Sequence, residues 1–225
     1  MQLNAIEKIM LNNPVRRLAQ RFYEAPRMVA MTGPLDGKRA LEIGCGRGFG
    51  IVTILKQFGV ASVQGIDLDP RSIARAQKRI LRYKYQSRAE ASVGDVTAIP
   101  AEDESFDVVF DFSVLYHVEL WEDALSEVAR VLKPGGLFVF REATKKALDR
   151  WSYRMLFNLP KENRFTVDGF VAALERHGIV VVDDDLKSFS FGDFFAGVGR
   201  RTKRIRLSDD EALAKITGTF TARRR

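Results

Sequence analysis

Along the chain, apolar runs of strand length alternate with longer stretches in which apolar positions recur every three or four residues. Runs bounded by Gly, Pro or Asp predict buried strands, and the three-to-four spacing predicts helices with one face in a core. Strands are expected at 39–44, 62–67, 90–94, 106–112, 137–142 and 179–183, with a further Phe-rich strand near 188–195. Helices are expected at 49–58, 70–82, 121–132 and 166–177, the third followed by a turn at Lys133-Pro134-Gly135-Gly136. Pro70 suits the first helical position behind Asp69 as a cap, and His177-Gly178 marks a helix end. Upstream, residues 3–22 predict one or two helices broken near Pro14, with Val15, Leu18, Ala19 and Phe22 on one stripe. This alternation predicts an α/β fold, an open and mostly parallel sheet that would bind ligand at the carboxyl ends of its strands.

Composition narrows the class. The 225 residues, 46% of them apolar, can bury one large core. The expected organisation is a helical N-terminal segment (1–34), a main domain (35–199) with an aromatic insert at 144–165, and a basic tail (200–225). No apolar stretch reaches the roughly 20 residues needed to cross a bilayer. Met1 to Asn13 carries Glu7 and several Asn residues, so no secretory leader is expected there. A lone cysteine, Cys45, excludes a disulfide framework and a cysteine-based metal cluster, so no metal is expected and a reducing cytoplasm is. Of the net charge of +7, the tail alone holds nine basic and three acidic side chains. That tail either contacts anionic lipid or nucleic acid, or is simply solvated.

The chemistry concentrates at residues 41–50, Leu-Glu-Ile-Gly-Cys-Gly-Arg-Gly-Phe-Gly, directly after a predicted strand. The dinucleotide pattern G-x-G-x-x-G fails, because its sixth position is Phe49 or Ile51 in the two registers. The phosphate loop fails too, since no Lys-Ser or Lys-Thr follows. What remains is acidic-x-Gly-x-Gly-x-Gly. Asp67 ends the second strand nineteen residues after Gly48, where a carboxylate can accept two hydrogen bonds from a ribose diol. Gly94-Asp95-Val96 ends the third strand, Ser105 to Phe110 forms a fourth that runs into Asp111-Phe112-Ser113, and Glu127 to Gly136 leads into the fifth.

Taken together, these motifs resemble the class I S-adenosylmethionine (SAM) dependent methyltransferases of the type 11 group, over roughly residues 38–143. The resemblance implies a Rossmann-like, seven-stranded sheet with helices on both faces and an antiparallel last strand. It implies SAM as cofactor, held by Glu42, Gly44, Cys45, Gly46, Gly48, Asp67, Leu68, Asp95, Val96 and Phe112. Each acid also has a plainer reading: Glu42 as acceptor for nearby backbone N–H groups, Asp69 as helix cap, Asp95 as a turn acid. Cys45 reads as a packing residue.

On the acceptor side the resemblance points to Tyr116 and His117 after strand four. His117 offers a neutral imidazole near pH 7 for taking a proton, or else orders its loop. Arg141 and Glu142 are expected either to point toward the rim of the site or to form ordinary ion pairs with each other's neighbours, and Phe22 and Tyr23 to serve as a lid or as packing. Trp151, Tyr153, Met155, Leu156 and Phe157, with Phe189, Phe191, Phe194 and Phe195, either wall an apolar acceptor pocket or pack the sheet. Similarity to quinone C-methyltransferases and small phospholipid N-methyltransferases implies a small-molecule or lipid-like acceptor, with peripheral membrane contact through the basic termini. A nucleic-acid acceptor is not expected, since Asp111-Phe112-Ser113-Val114 stands where base-methylating enzymes often carry Asn/Asp-Pro-Pro-Tyr/Phe. A non-catalytic SAM-binding partner protein would be expected to lose the glycines or Asp67, and both are intact. These residues specify neither the atom methylated nor an oligomeric state.

Overall fold

The computed structural model describes residues 25–149, 164–189 and 193–202. The N-terminal stripe with Phe22 and Tyr23, the insert aromatics from Trp151 to Phe157, Phe191 and the tail from residue 203 lie outside the described residues.

Helix α1 (Ala25–Thr32) leads into β1 (Arg39–Ile43), α2 (Phe49–Thr53), β2 (Ser62–Asp67), α3 (Pro70–Arg82), β3 (Ala89–Val93) and β4 (Phe106–Phe112). Then follow α4 (Trp121–Val131), β5 (Leu132–Ala143), the short α5 (Lys145–Leu148), α6 (Val167–Arg176), β6 (Ile179–Phe189) and β7 (Phe194–Arg201). The strand order is β3-β2-β1-β4-β5-β7-β6. Strands β1 to β5 pair in parallel, and β7 runs antiparallel between β5 and β6. The order reverses between β1 and β4, so a crevice opens beyond their carboxyl ends.

Both sheet faces are covered, which explains the near-continuous apolar strands. On one face α1, α2 and α3 pack over Ala40, Val63, Val108, Phe110 and Val139. On the other, α4 and α6 pack over Leu41, Ile43, Ile66, Val109, Phe138 and Phe140. The period of two along β4 therefore sends Val108 and Phe110 one way and Val109 the other.

Several boundaries differ from the sequence expectation. The helix expected at 49–58 changes at Ile54 into a π-helical turn that Gly59 ends with φ 72°. The third strand begins and ends one residue earlier than expected. The turn expected at 133–136 is a bulge within β5: Phe106 pairs with Leu132, the register then shifts, and pairing resumes at Val108 with Leu137.

The strand expected at 179–183 continues to Phe189, because a register shift between Val181 and Leu186 accommodates Asp183-Asp184-Asp185. The segment 188–195 is not one strand but the end of β6, a turn and the start of β7. Arg200 and Arg201, assigned to the tail, belong to β7 and sit opposite Leu137, Val180 and Ile179. Phe195 does not wall a pocket. It is fully buried, with its ring 5.4 Å from Phe170 and 6.2 Å from Phe165.

Candidate functional site

The segment joining β1 to α2 is drawn tight by three bonds. Cys45 N–H donates to the Ile66 carbonyl at 2.8 Å, Gly48 N–H to the Cys45 carbonyl at 2.8 Å, and Gly46 N–H to Asp67 Oδ2 at 2.9 Å. Gly44 has φ 59°, and a β-carbon there would lie 2.4 Å from Val114 Cγ2. The loop following β4 therefore presses directly on the glycine loop, and only glycine permits both the conformation and the contact. Gly50 has ordinary helical geometry but is needed for another reason: its β-carbon would lie 1.7 Å from Glu42 Oε1.

Glu42 is 3% exposed, and it takes the Ile51 backbone N–H. Its Oε2 is buried with no protein partner. Burial, and then the neighbouring charge of Asp67, push its pKa well above the usual carboxylate range. Asp67 accepts from Gly46 N–H through Oδ2 and from Asp69 N–H through Oδ1, both at 2.9 Å. Each carboxylate oxygen has two lone pairs, so the pair can still receive a diol. Two carboxylates beneath one glycine loop make a cradle that favours a cation and repels a phosphate.

The other predicted cofactor residues take distinct places. Cys45 is buried against Gly65, and burial followed by the charges of Glu42 and Asp67 pushes its thiol far up, which fits packing and not nucleophilic chemistry. Leu68 is 49% exposed immediately beyond Asp67. Asp95 Oδ1 accepts from Thr97 N–H and Thr97 Oγ1, both at 2.8 Å, and so orders its own turn. Val96 is buried in the core with Ile66 and Ile99, leaving only its backbone to a ligand. Phe112 is half-buried with its ring 5.8 Å from Phe110. Asp69 caps α3 through Arg71 N–H at 3.0 Å and Ser72 Oγ at 3.0 Å.

Facing this loop is a second polar centre at the ends of β4 and β5. Val114 and Leu115 N–H donate to Glu142 Oε1 at 2.9 and 2.8 Å, and Tyr116 N–H donates to Oε2 at 3.1 Å. Asp111 Oδ1 also accepts from Val114 N–H at 2.9 Å, while its Oδ2 has no other donor within the protein. Both acids are completely buried. Burial and the facing Glu142 raise the pKa of Asp111 strongly. Burial also raises that of Glu142, opposed by Asp111 and the three backbone donors. Burial thus favours the protonated form in this pair, most strongly at Asp111.

This pair fixes the 3₁₀ turn Leu115–His117, which presents Tyr116 and His117 with ring centroids 4.1 Å apart. Tyr116 also lines a water-sized cavity with Trp121, Arg164 and Phe165. Glu142 is thus fully buried beneath the turn, and Arg141 is part-buried beside it. Arg141 donates to Ser113 Oγ at 2.5 Å and lies 4.5 Å over the Phe194 ring. Gly50, Asp111 and the structural role of Glu142 were not foreseen. The available signal was an acid interrupting otherwise apolar strands, in Val-Val-Phe-Asp-Phe and Phe-Arg-Glu-Ala.

The strand order, the reversed β7 and an acid-lined glycine loop at the switch point define a Rossmann-like nucleoside-binding protein. Residues 41–140 match the family model described as a methyltransferase domain. Over 150 residues the chain is 29% identical to a fatty-acid O-methyltransferase of Mycolicibacterium smegmatis, covering 67% of this chain and 50% of that one. Over 108 residues it is 36% identical to the phthiotriol/phenolphthiotriol dimycocerosates methyltransferase of Mycobacterium leprae, covering 48% and 38%. The chain thus spans half or less of the length of these two relatives. A SAM-dependent methyltransferase structure from Aquifex aeolicus superposes with a TM-score of 0.69 at 20% identity, over 88% of this chain and 100% of that one. Residues 41–140 thus form a domain of the class I SAM-dependent methyltransferase type, whose cofactor is S-adenosylmethionine.

Proposed function

We propose that this protein transfers a methyl group from SAM to a lipid-like acceptor. The observation that carries the cofactor side is the paired Glu42 and Asp67 beneath the glycine loop, with Glu42 Oε2 buried and without a partner. A sulfonium and an ammonium relieve that charge, whereas a phosphate would add to it. Asp67 would hold the ribose diol, and Glu42 with the Gly44 carbonyl the cationic methionine end. Asp95 and the Val96 backbone N–H would take the adenine edge, between Leu68 and Phe112. Cys45, Gly46 and Gly48 shape the loop so that backbone approaches the ligand.

When bound, SAM supplies an electrophilic methyl group. The chain's own contribution is alignment and water exclusion, and alignment can supply about 7–11 kcal/mol of the barrier. Tyr116 and His117, held by Glu142, would orient the acceptor. The His117 imidazole would accept the proton that the acceptor loses. Supporting a lipid-like acceptor are the names of the relatives, which act on fatty acids and on phthiotriol dimycocerosates.

The test is transfer of tritium from methyl-labelled SAM into a panel of fatty acids, polyketide-derived lipids, sterols and polar metabolites. Labelling confined to polar metabolites would overturn the lipid reading. Absence of SAM binding by calorimetry would overturn the cofactor assignment. For His117→Ala, kcat should fall with the KM for SAM unchanged, and an unchanged kcat would remove His117 from proton transfer.

A further inference from the structure

Residues 70–88 carry Arg71, Arg75, Lys78, Arg79, Arg82, Lys84 and Arg88 and no acidic residue. Residues 1–199 net only +1, yet this one segment concentrates seven positive charges that acids elsewhere in the chain offset. Two of these side chains have internal duties. Arg79 stacks on Phe49 and donates to the Arg47 carbonyl, and Arg88 donates to the carbonyls of Val60 and Ala61.

The others are exposed. Arg71, Arg75, Lys78 and Arg82 follow i, i+4, i+7, i+11 spacing, a single stripe along α3 opposite the buried Ile73, Ala76 and Ile80. Among the described residues no carboxylate forms an ion pair with any of these four or with Lys84. Like charges at these spacings repel within a helix, so the stripe works against the helix's own stability. At its lower end Leu81 is 61% and Tyr83 42% exposed, and Lys56 Nζ lies 4.7 Å over the Tyr83 ring.

We propose that this face of α3 docks on an anionic lipid surface. The cationic stripe supplies the charge complementarity, and Leu81 with Tyr83 supplies apolar and aromatic groups suited to the interface. A nucleic acid would use the charges but has no need for an exposed leucine beside them. The helix begins three residues after Asp67, so the stripe starts on the same β2–α3 connection that carries this cofactor residue. A membrane along this face would bring headgroups to the mouth of the site. This last point rests on the lipid-acceptor reading, whereas the docking itself does not.

The experiment is co-sedimentation of the full chain with phosphatidylcholine vesicles, with and without phosphatidylglycerol. The wild type should sediment only with the anionic vesicles. Each stripe charge removed should weaken partitioning about fivefold, so Arg75→Gln, Lys78→Gln and Arg82→Gln together should weaken it roughly a hundredfold. These positions are exposed, and unchanged SAM binding by the triple variant verifies that the fold is retained. Leu81→Ser with Tyr83→Ser should weaken the salt-resistant part of binding. Neutralising Arg223, Arg224 and Arg225 should leave the stripe-dependent step in place. Equal sedimentation of the triple variant and wild type would overturn the proposal. So would failure of the wild type to bind anionic vesicles, or stripe-dependent binding of a single-stranded RNA without vesicle binding. Vesicle binding without methylation of any lipid would count against the acceptor reading alone.

Discussion

Replacing Asp111 by Asn tests whether the buried acid pair holds a proton. In the wild type, Asp111 Oδ1 accepts the Val114 N–H at 2.9 Å, its Oδ2 has no donor within the protein, and its carboxyl group interacts with that of Glu142. Asn keeps the first bond through its carbonyl oxygen and turns its amide toward Glu142, replacing the shared proton by a fixed one. Burial and Glu142 raise the folded-state pKa of Asp111 above the value of about 3.9 that it has unfolded. The folded protein therefore binds the extra proton, and this group's contribution is most favourable below the unfolded pKa and declines as pH rises toward the folded one. With one proton linked, the slope reaches about 1.4 kcal/mol per pH unit. Glu42, whose pKa is also raised by burial, adds a similar slope to both proteins and cancels from their difference. Urea unfolding followed by circular dichroism, from about pH 5 to about pH 8, should show Asp111→Asn gaining on the wild type by up to about 1.4 kcal/mol for each unit. Parallel stability curves would refute the shared proton.

Three further outcomes follow from the same geometry. Gly50→Ala, which in an open helix would help by about 1 kcal/mol, should instead cost about 1–3 kcal/mol through overlap with Glu42. Thermal melts should show the cost shrinking in the Glu42→Ala background, and equal costs in both backgrounds would contradict the contact. Asp67→Ala removes the acceptors for Gly46 and Asp69 N–H and the proposed diol site, so calorimetry should record at least about 1.5–3 kcal/mol of lost SAM affinity in a folded protein. Unchanged affinity would sink the ribose assignment. Cys45 should react with a thiol reagent at neutral pH only as fast as the protein opens, and immediate labelling of the native protein would disprove its burial.

Much of the sheet was legible because the central strands β1, β4 and β5 are largely buried apolar runs with glycine or proline nearby. The β6–β7 hairpin was not legible, since a register shift carries a run of acids inside a strand and the Phe-rich segment spans its turn. The cofactor loop could be read from glycine spacing, because glycine most readily adopts the φ values of 59°, 52° and 74° at residues 44, 46 and 48. The pairing of Asp111 with Glu142 could not, as thirty-one positions separate them in sequence.

The sequence by itself determined the alternation of strands and helices and the methyl donor, because both rest on local constraints: side-chain period, backbone sterics and a short ordered set of motifs. Tertiary structure alone decided what β4 and β5 do together. Their parallel register sets Asp111 opposite Phe140 and places Glu142 just beyond, where three backbone donors converge on it. It also decided that the charges of α3 lie on one exposed stripe while Arg79 and Arg88 turn inward. Burial and charge pairing depend on neighbours brought from distant parts of the chain, and composition reports only their sum.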